Sequence, residues 1–186
     1  MPDQPLSDPG TPEQPAQDGS FDREAVLAAP VCVIELDGPL RSKSNYRRTK
    51  AGSAKSADWA RHREFEESLA VLARQARPIG WPLGQRDAAL ATRPEVVVLI
   101  VASSLLDTAN MAKSVTDALE EVLFYNDASI RHIACVSTRS AKNQRASIYV
   151  TALEPGQPPA AHFAAANRLA ELALAKQSQS SQPEDA

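Results

Sequence analysis

The segment EVVVLIVA, residues 95–102, is an almost unbroken run of apolar and mostly β-branched side chains. A strand with one face in water alternates polar and apolar residues, whereas a continuous apolar run suits a strand that is covered on both faces. Covering both faces requires packed layers of secondary structure. This one segment therefore favours a layered α/β domain.

Three further segments are predicted to be strands, because they alternate in polarity or are rich in β-branched residues. They are residues 31–37, 130–138 and 146–153. The short polar stretch RSAKNQ separates the last two and predicts a hairpin-like link between them.

Helical periodicity predicts three helices among these strands. They span about residues 57–75, 108–123 and 160–176. The proline and glycine content of residues 77–94 indicates a loop. The order β-α-β-α-β-β-α predicts a single α/β (α+β) domain with a mixed sheet of about four strands and three helices.

The two ends of the chain differ in composition from the middle. Residues 1–25 are rich in proline and carry six acidic side chains against one basic, and residues 177–186 carry two acidic side chains and no basic one. Both segments have little to bury and are predicted to be disordered, which leaves residues 26–176 as the domain. The formal net charge is −3 for the whole chain but +4 for this domain.

Composition argues against a membrane or secreted protein. The sequence has no run of about 18 apolar residues, and its acidic start resembles neither a signal peptide nor a transit peptide. We therefore expect a cytoplasmic protein with no membrane partner. Cys32 and Cys135 both fall in predicted strands without other ligands at zinc spacing, so we expect buried thiols, with a disulfide as the alternative.

Positive charge is densest at residues 41–63, which contain eight Lys or Arg and one acidic residue. Such a run is either a solvated loop or a surface that binds a polyanion. The second interpretation predicts a set of nucleic-acid contacts: Lys43, Asn45, Arg47, Arg48, Lys50 and Lys55.

The helix predicted at 108–123 has an apolar and a polar face. The apolar side chains recur at helical spacing and should pack on the sheet; they are Met111, Val115, Ala118 and Val122. The polar face carries Asn110, Lys113 and Asp117, of which the last two also have the spacing of an i, i+4 ion pair.

Aspartates flank this helix, with Asp107 before it and Asp127 after it. A helix cap explains the first and a turn explains the second. A turn that returns Asp127 to the polar face would instead place two carboxylates beside Lys113. Mg²⁺ is typically held by one or two carboxylates together with phosphate oxygens and water, so a site for Mg²⁺ or Mn²⁺ is the alternative.

The order of these residues resembles the core motif of the RusA-type Holliday junction resolvases, or crossover junction endodeoxyribonucleases. That motif is roughly D-x-D-N-x-x-K-x-x-x-D-A-L, followed by D-D-x-x-[IV]. Here the chain reads DTANMAKSVTDAL from residue 107 and NDASI from residue 126. Upstream, VIELDGPLRSKSNYRR is similar to the family's first strand and basic loop, and the resemblance covers about residues 31–153.

The resemblance implies a Mg²⁺-dependent endonuclease of phages and bacteria that resolves four-way DNA junctions as a homodimer, in recombination and repair. It implies catalytic roles for Asp107, Lys113 and Asp127, with the two aspartates as metal ligands. The residues that would support the site are Asn110, Asp117 and Asn126. Phosphate contacts would come from the basic loop, at Lys43, Arg47 and Arg48.

Two positions depart from the family pattern. Ala109 stands where the family has a metal-binding aspartate, and Asn126 replaces the first aspartate of the later pair. The amide oxygen of Asn126 could still coordinate an ion, but Ala109 has no ligand atom. The alternative is therefore a degenerate family member that binds branched DNA without cutting it. A third hypothesis, independent of the resemblance, is an α/β adaptor whose acidic tails contact partners.

Overall fold

A computed structural model describes residues 21–42, 57–83, 89 and 92–180. In chain order its elements are α1 (Arg23–Ala28), β1 (Val31–Asp37), α2 (Ala57–Ala76), β2 (Glu95–Ser104), α3 (Thr108–Leu119), a 3₁₀ turn (Asp127–Ser129), β3 (Ile130–Arg139), β4 (Arg145–Leu153) and α4 (Pro159–Ser180). The predicted α/β domain with four strands is confirmed.

The sheet is mixed, with the strand order β1-β4-β2-β3. Strands β2 and β3 are parallel, whereas β4 is antiparallel to both of its neighbours. We call the end at which β2 and β3 finish, at Ser104 and Arg139, the upper end of the sheet. The lower end is where they begin, at Glu95 and Ile130.

Strand β2 is covered on both faces, as its composition predicts. Val96, Val98 and Ile100 join one hydrophobic cluster with residues of α2 and α3. Val97 and Leu99 join a second cluster, which includes the buried face of α4. Helices α2 and α3 therefore lie on one face of the sheet and α4 lies on the other.

Helix α3 buries the predicted apolar stripe but is shorter than predicted. Met111, Val115 and Ala118 are buried in the cluster that covers β2. The helix ends at Leu119 instead of residue 123, because Glu120 has extended backbone angles and Glu121 has a φ of 59°. Residues 120–123, about one turn of the predicted helix, thus form the tight connection that leads the chain away from α3.

The prediction of a hairpin-like link between β3 and β4 is wrong. Strand β2 lies between them, so residues 140–144 cross over the upper end of β2. In this crossing the backbone N–H of Ser140 donates to the carbonyl oxygen of Ser104 at 3.4 Å. The crossing places Lys142 and the start of β4 at the upper end of the sheet.

Both ends of the described chain are more ordered than composition indicates. Residues 23–25, predicted to be disordered, belong to α1, which Asp22 caps by accepting from the N–H of Ala25 at 3.0 Å. Val26 of α1 is buried in the cluster beneath α4. Helix α4 continues through Ser180, past the predicted end at residue 176, and residues 1–20 and 181–186 of the predicted tails lie outside the described residues.

The two cysteines are buried to different degrees. Cys32 is buried and Cys135 is half-buried, and both are free, so they do not form a disulfide. Burial raises the pKa of the Cys32 thiol to about 11, although the nearby charge of Arg77 opposes the rise. Among the helices of the described ranges, none is long and apolar enough to cross a bilayer.

Candidate active site

Asp107 caps α3 and is held in a fixed orientation by one neighbour. Its Oδ1 accepts from the backbone N–H of Asn110 at 2.8 Å, and its Oδ2 accepts from the Asn110 side-chain amide at 2.6 Å. The pKa of the exposed Asp107 carboxyl is lowered mainly by the hydrogen bond from the Asn110 backbone, and next by the bond from the Asn110 side chain. The expected cap is confirmed, and it keeps Asp107 ionised at the upper end of the sheet.

Asn110 also connects this carboxylate to the start of the basic loop. The hydroxyl of Ser42, which is buried, donates to Asn110 Oδ1 at 3.1 Å. Leu40 is buried in the main hydrophobic cluster, and this fixes the chain as it leaves β1. Ser42, Asn110 and Asp107 therefore form a hydrogen-bonded series that joins the first residues of the basic segment to the first turn of α3.

Lys113 and Asp117 form the predicted ion pair on the polar face of α3. Their Nζ and Oδ1 atoms are 3.3 Å apart, and the Lys113 side chain is 69% exposed. Exposed pairs at this spacing are weak, about 0.3–0.5 kcal/mol, so the lysine is free to exchange its carboxylate for another anion at little cost. Lys113 lies about 9 Å from Asp107 along the helix axis, at a rise of 1.5 Å per residue.

Asp127 lies at the lower end of the sheet, in the 3₁₀ turn that precedes β3. The charge of Asp127 acts on Glu120, the residue that follows α3. Burial raises the pKa of Glu120, and the negative charges of Asp127, Asp117 and Glu121 raise it further. Asp127 is therefore part of an acidic group at the end of α3 rather than a neighbour of its first turn.

The structure does not bring Asp107 and Asp127 together within one copy of the chain. The twelve residues of α3 separate them by about 18 Å along the helix axis. Two carboxylates on one Mg²⁺ must have oxygens within about 4 Å of each other, because each Mg–O bond is about 2.1 Å. The turn that would return Asp127 to Asp107 does not occur. Strands β2 and β3 are parallel, so α3 carries the chain from the upper end of the sheet to the lower end, where β3 begins beside the start of β2.

The fit to a metal ion is correspondingly poor in a single copy. Among the described residues, no three His, Cys, Asp or Glu side chains are grouped so as to hold an ion. Ala109 is exposed in the first turn of α3 and contributes no ligand atom beside Asp107. At the lower end, Asn126 has a buried side-chain oxygen without a hydrogen-bond partner among the described residues.

Comparison with known families identifies the chain. The family model described as endodeoxyribonuclease RusA matches residues 37–151, well over half of the sequence. The chain belongs to the RusA endodeoxyribonuclease family. The matched region runs from the end of β1 through most of β4 and so contains the basic loop, α3 and both aspartates. RusA proteins act on Holliday junctions, which makes branched DNA the substrate class of the family.

Other comparisons add little. No curated protein matches the chain. One match among solved structures is CetZ2 from Haloferax volcanii, a GTPγS-bound protofilament, at 9% sequence identity and a TM-score of 0.28. The alignment covers 77% of this chain and 35% of that one. A likeness this weak carries no argument.

The predicted DNA contacts from Lys43 to Lys55 all lie outside the described residues, although Ser42 places the start of their loop beside Asp107. Sequence analysis missed a second group of cations at the upper end. Lys142 in the crossing segment and Arg145 at the start of β4 are both exposed and border an open groove of ≈ 760 Å³. Their signal was present, since RSAKNQR carries three positive charges, but only the crossing over β2 places it at the upper end of the sheet, where the groove opens on the face that carries α4.

Proposed function

We propose that the chain is a structure-selective endonuclease that cleaves branched DNA, such as a four-way junction, in recombination and repair. Family membership supports nuclease chemistry on DNA. The observation that carries the proposal is the series Ser42–Asn110–Asp107, which joins an oriented carboxylate to the basic segment. A nuclease requires this combination, because the segment that binds the phosphate backbone must deliver it to the reacting group.

Each candidate residue of this chain has a distinct role in the proposed reaction. Asp107 provides a carboxylate that stays ionised because Asn110 donates two hydrogen bonds to it. Lys113 releases Asp117 and neutralises charge that develops on the scissile phosphate, which is where a cation is most effective. The basic loop and the upper-end cations Lys142 and Arg145 bind the backbone through charge rather than sequence.

Mg²⁺ is the cofactor that we propose, with Mn²⁺ as a substitute. An ion held beside Asp107 would supply Lewis-acid chemistry, by polarising the phosphate and lowering the pKa of a bound water. Among the described residues, Asp107 is the carboxylate at the start of α3, and no three His, Cys, Asp or Glu side chains are grouped around it, so we propose that a second copy supplies a further ligand. The proposal therefore includes a homodimer, and its location is expected to be cytoplasmic.

A second candidate is a family member that binds branched DNA without cutting it. Ala109 favours this candidate, since it leaves the first turn of α3 with Asp107 as its only carboxylate ligand. Both candidates require the same DNA-binding surface. They differ only in whether metal ions produce a cut.

The test is a titration of Mg²⁺ and Mn²⁺ with the full chain on a synthetic four-way junction. The nuclease proposal expects metal-dependent nicks that are lost in Asp107→Asn and in Asp127→Asn. Tight binding without nicks at any metal concentration would favour the non-cleaving candidate. A junction affinity that does not change with salt would contradict both, because neutralised phosphates release counterions.

A further inference from the structure

An open groove lies at the upper end of the sheet, on the face that carries α4. The crossing segment, residues 140–144, forms one wall of it, and the last turns of α4 form the other. We propose that the acidic segment that follows α4, residues 181–186, docks in this groove and covers the cations Lys142 and Arg145. The docked segment then competes with DNA for these two cations. Competition with DNA rests on the proposed function, whereas the docking itself does not.

The groove has more positive charge than its own residues neutralise. Its lining contains three cations and one carboxylate, which are Lys142, Arg145, Lys176 and Glu35. Lys176 pairs with Glu35, whose Oε2 also accepts from the Ser147 hydroxyl at 2.7 Å. Asp37 lies opposite Arg145 in the pairing of β1 with β4. Even so, neither Arg145 nor Lys142 forms an ion pair with any described residue, so both cations can accept an anion from another segment.

Lys142 is held in position by the turn that contains it. The Ser140 hydroxyl donates to the Lys142 carbonyl oxygen at 2.6 Å, and the same hydroxyl accepts from the Lys142 backbone N–H at 3.2 Å. Asn143 follows with a φ of 52°. The backbone N–H of Gly38 donates to the Gln144 carbonyl oxygen at 2.8 Å, which ties the turn to the end of β1. Because this wall is already ordered, an anion that binds there loses little free energy to ordering the backbone.

The acidic segment begins close enough to reach these cations. Helix α4 continues to Ser180, about 6 Å beyond Lys176 at a rise of 1.5 Å per residue. Lys176 pairs with Glu35 on β1, and the crossing segment passes over β2, two strand spacings or about 10 Å away. Glu184 follows Ser180 by four residues, which span up to about 13 Å in an extended chain. Glu184 is therefore within reach of Lys142.

The composition of the segment fits the lining of the groove. Residues 181–186 read SQPEDA, with a proline directly before Glu184 and Asp185. The floor of the groove is partly apolar, and Val136 there is 56% exposed. The proline can pack on this floor while the two carboxylates reach the cations at the rim. A proline also disfavours helical angles at the residue before it, which favours departure from the α4 axis ahead of the two acids.

Covalent attachment makes the contact effective although each exposed ion pair is weak. A short tether raises the local concentration of the segment at the groove to about the millimolar range, so DNA must displace it. The family model matches residues 37–151, which include both cations but neither α4 nor the segment after it. The contact therefore joins the family domain to a part of this chain that lies outside the match.

The first test is coupling of amines to carboxylates with a carbodiimide, which adds no spacer, on the full chain without DNA. Peptide mapping by mass spectrometry should find Lys142 joined to Glu184 or Asp185, and about 1 M salt should suppress the product by screening the charges. Lys113 is the control, because its side chain is 69% exposed but belongs to α3 on the other face of the sheet. No product at Lys142, or equal coupling of the segment to both lysines, would overturn the docking.

The same reaction on an equal mixture of unlabelled and heavy-nitrogen chains tells whether the segment docks on its own copy. Products should join peptides of one isotope. Products that join the two isotopes would show docking on another copy and would contradict the proposal.

The second test measures competition with DNA. Glu184→Gln combined with Asp185→Asn should raise the affinity of the full chain for a four-way junction at low salt by about threefold to tenfold, because two exposed ion pairs no longer oppose binding. Asp3→Asn combined with Asp8→Asn is the matched control, since it removes the same two charges near residue 1. An equal gain in the control would assign the effect to net charge and would count against the docking.

The third test repeats this neutralisation in a chain that also carries Lys142→Ala and Arg145→Ala. Without the two cations, loss of the acids should change junction affinity by less than about twofold, the range expected of uncoupled sites. A full gain in this background would show that the acids act elsewhere and would overturn the proposal. A wild type that does not bind the junction removes the proposed function, while the carbodiimide products still decide whether the segment docks.

Discussion

Asn110 binds both carboxylate oxygens of Asp107, one through its backbone N–H and the other through its side-chain amide. The first bond is an ordinary helix cap, and the second orients the carboxylate. The same side chain accepts from Ser42, so its loss would disturb both the carboxylate and the start of the basic loop. The helix cap and the proposed catalytic role thus depend on one carboxylate and are separable by substitution.

Asp107→Asn should separate them. Asparagine caps helices about as well as aspartate, so the midpoint of thermal unfolding should change little. Cleavage of a four-way junction should fall on the order of 100-fold or more, because the charge is gone. Asp107→Ala is the comparison, and it should lower both the unfolding midpoint and cleavage. Equal cleavage by Asp107→Asn and wild type would contradict a chemical role.

Ala109→Asp should restore the carboxylate that the family pattern has at this position. Residue 109 is exposed in the first turn of α3, where the helix dipole favours negative charge by about 0.3–1 kcal/mol. The unfolding temperature should become more dependent on Mg²⁺, and cleavage should rise by at least about tenfold. Ala109→Asn is the matched control without charge. The same response to Mg²⁺ in both variants would show that the upper end holds no ion.

Lys113→Ala should abolish most cleavage without destabilising the fold. The ion pair that it removes contributes only about 0.3–0.5 kcal/mol, since Lys113 is largely exposed. Asp117→Asn breaks the same pair but leaves the lysine in place. Rate measurements should show a loss of on the order of 100-fold in Lys113→Ala and little loss in Asp117→Asn. A similar loss in both variants would assign the effect to the ion pair instead.

Lys142→Ala combined with Arg145→Ala should weaken DNA binding in a manner that depends on salt. Each lost phosphate contact reduces the slope of log affinity against log salt by about 0.9, so the double variant should lose nearly 2. Arg74→Ala, at an exposed position of α2, is the control and should retain the wild-type slope. Fluorescence anisotropy at several salt concentrations measures the slope, and identical slopes in all three proteins would rule out the upper-end contact.

Glu95 should make the fold sensitive to acid. Burial opposes its ionisation, but hydrogen bonds from His162, the Gly156 backbone and Arg131 outweigh burial, so the pKa of Glu95 is lowered. A carboxyl whose folded pKa is depressed stabilises the fold above its unfolded value, near 4.5, and this stability is lost as pH falls through the folded value.

Glu95→Gln should therefore lower the free energy of unfolding at neutral pH by about 1.5–3 kcal/mol, the range for hydrogen bonds to charged groups. The difference from wild type should shrink as pH falls below 4.5, because the wild-type carboxyl then takes up a proton. Urea unfolding at a series of pH values measures it. Glu67→Gln, on the exposed face of α2, is the control and should follow the wild type. A difference that is constant with pH would contradict the role of charge.

The sequence alone determined the local structure of this protein and the identity of its candidate residues. The apolar run in β2 required cover on two faces, and the stripe Met111, Val115 and Ala118 required a helix packed on the sheet. Both follow from periodicity, which is a property of neighbouring residues. The spacing from Asp107 to Asp127 pointed to the family in the same way, because a motif is read along the chain.

Only the tertiary structure decided where those residues lie. A connection between parallel strands returns the chain to the end of the sheet at which it began, so α3 separates Asp127 from Asp107. The insertion of β2 between β3 and β4 carries Lys142 and Arg145 across the upper end of β2, the end of the sheet at which Asp107 also lies. The strand order depends on which arrangement buries both faces of β2. That burial is the sum of many contacts between residues distant in sequence, and no local pattern contains this information.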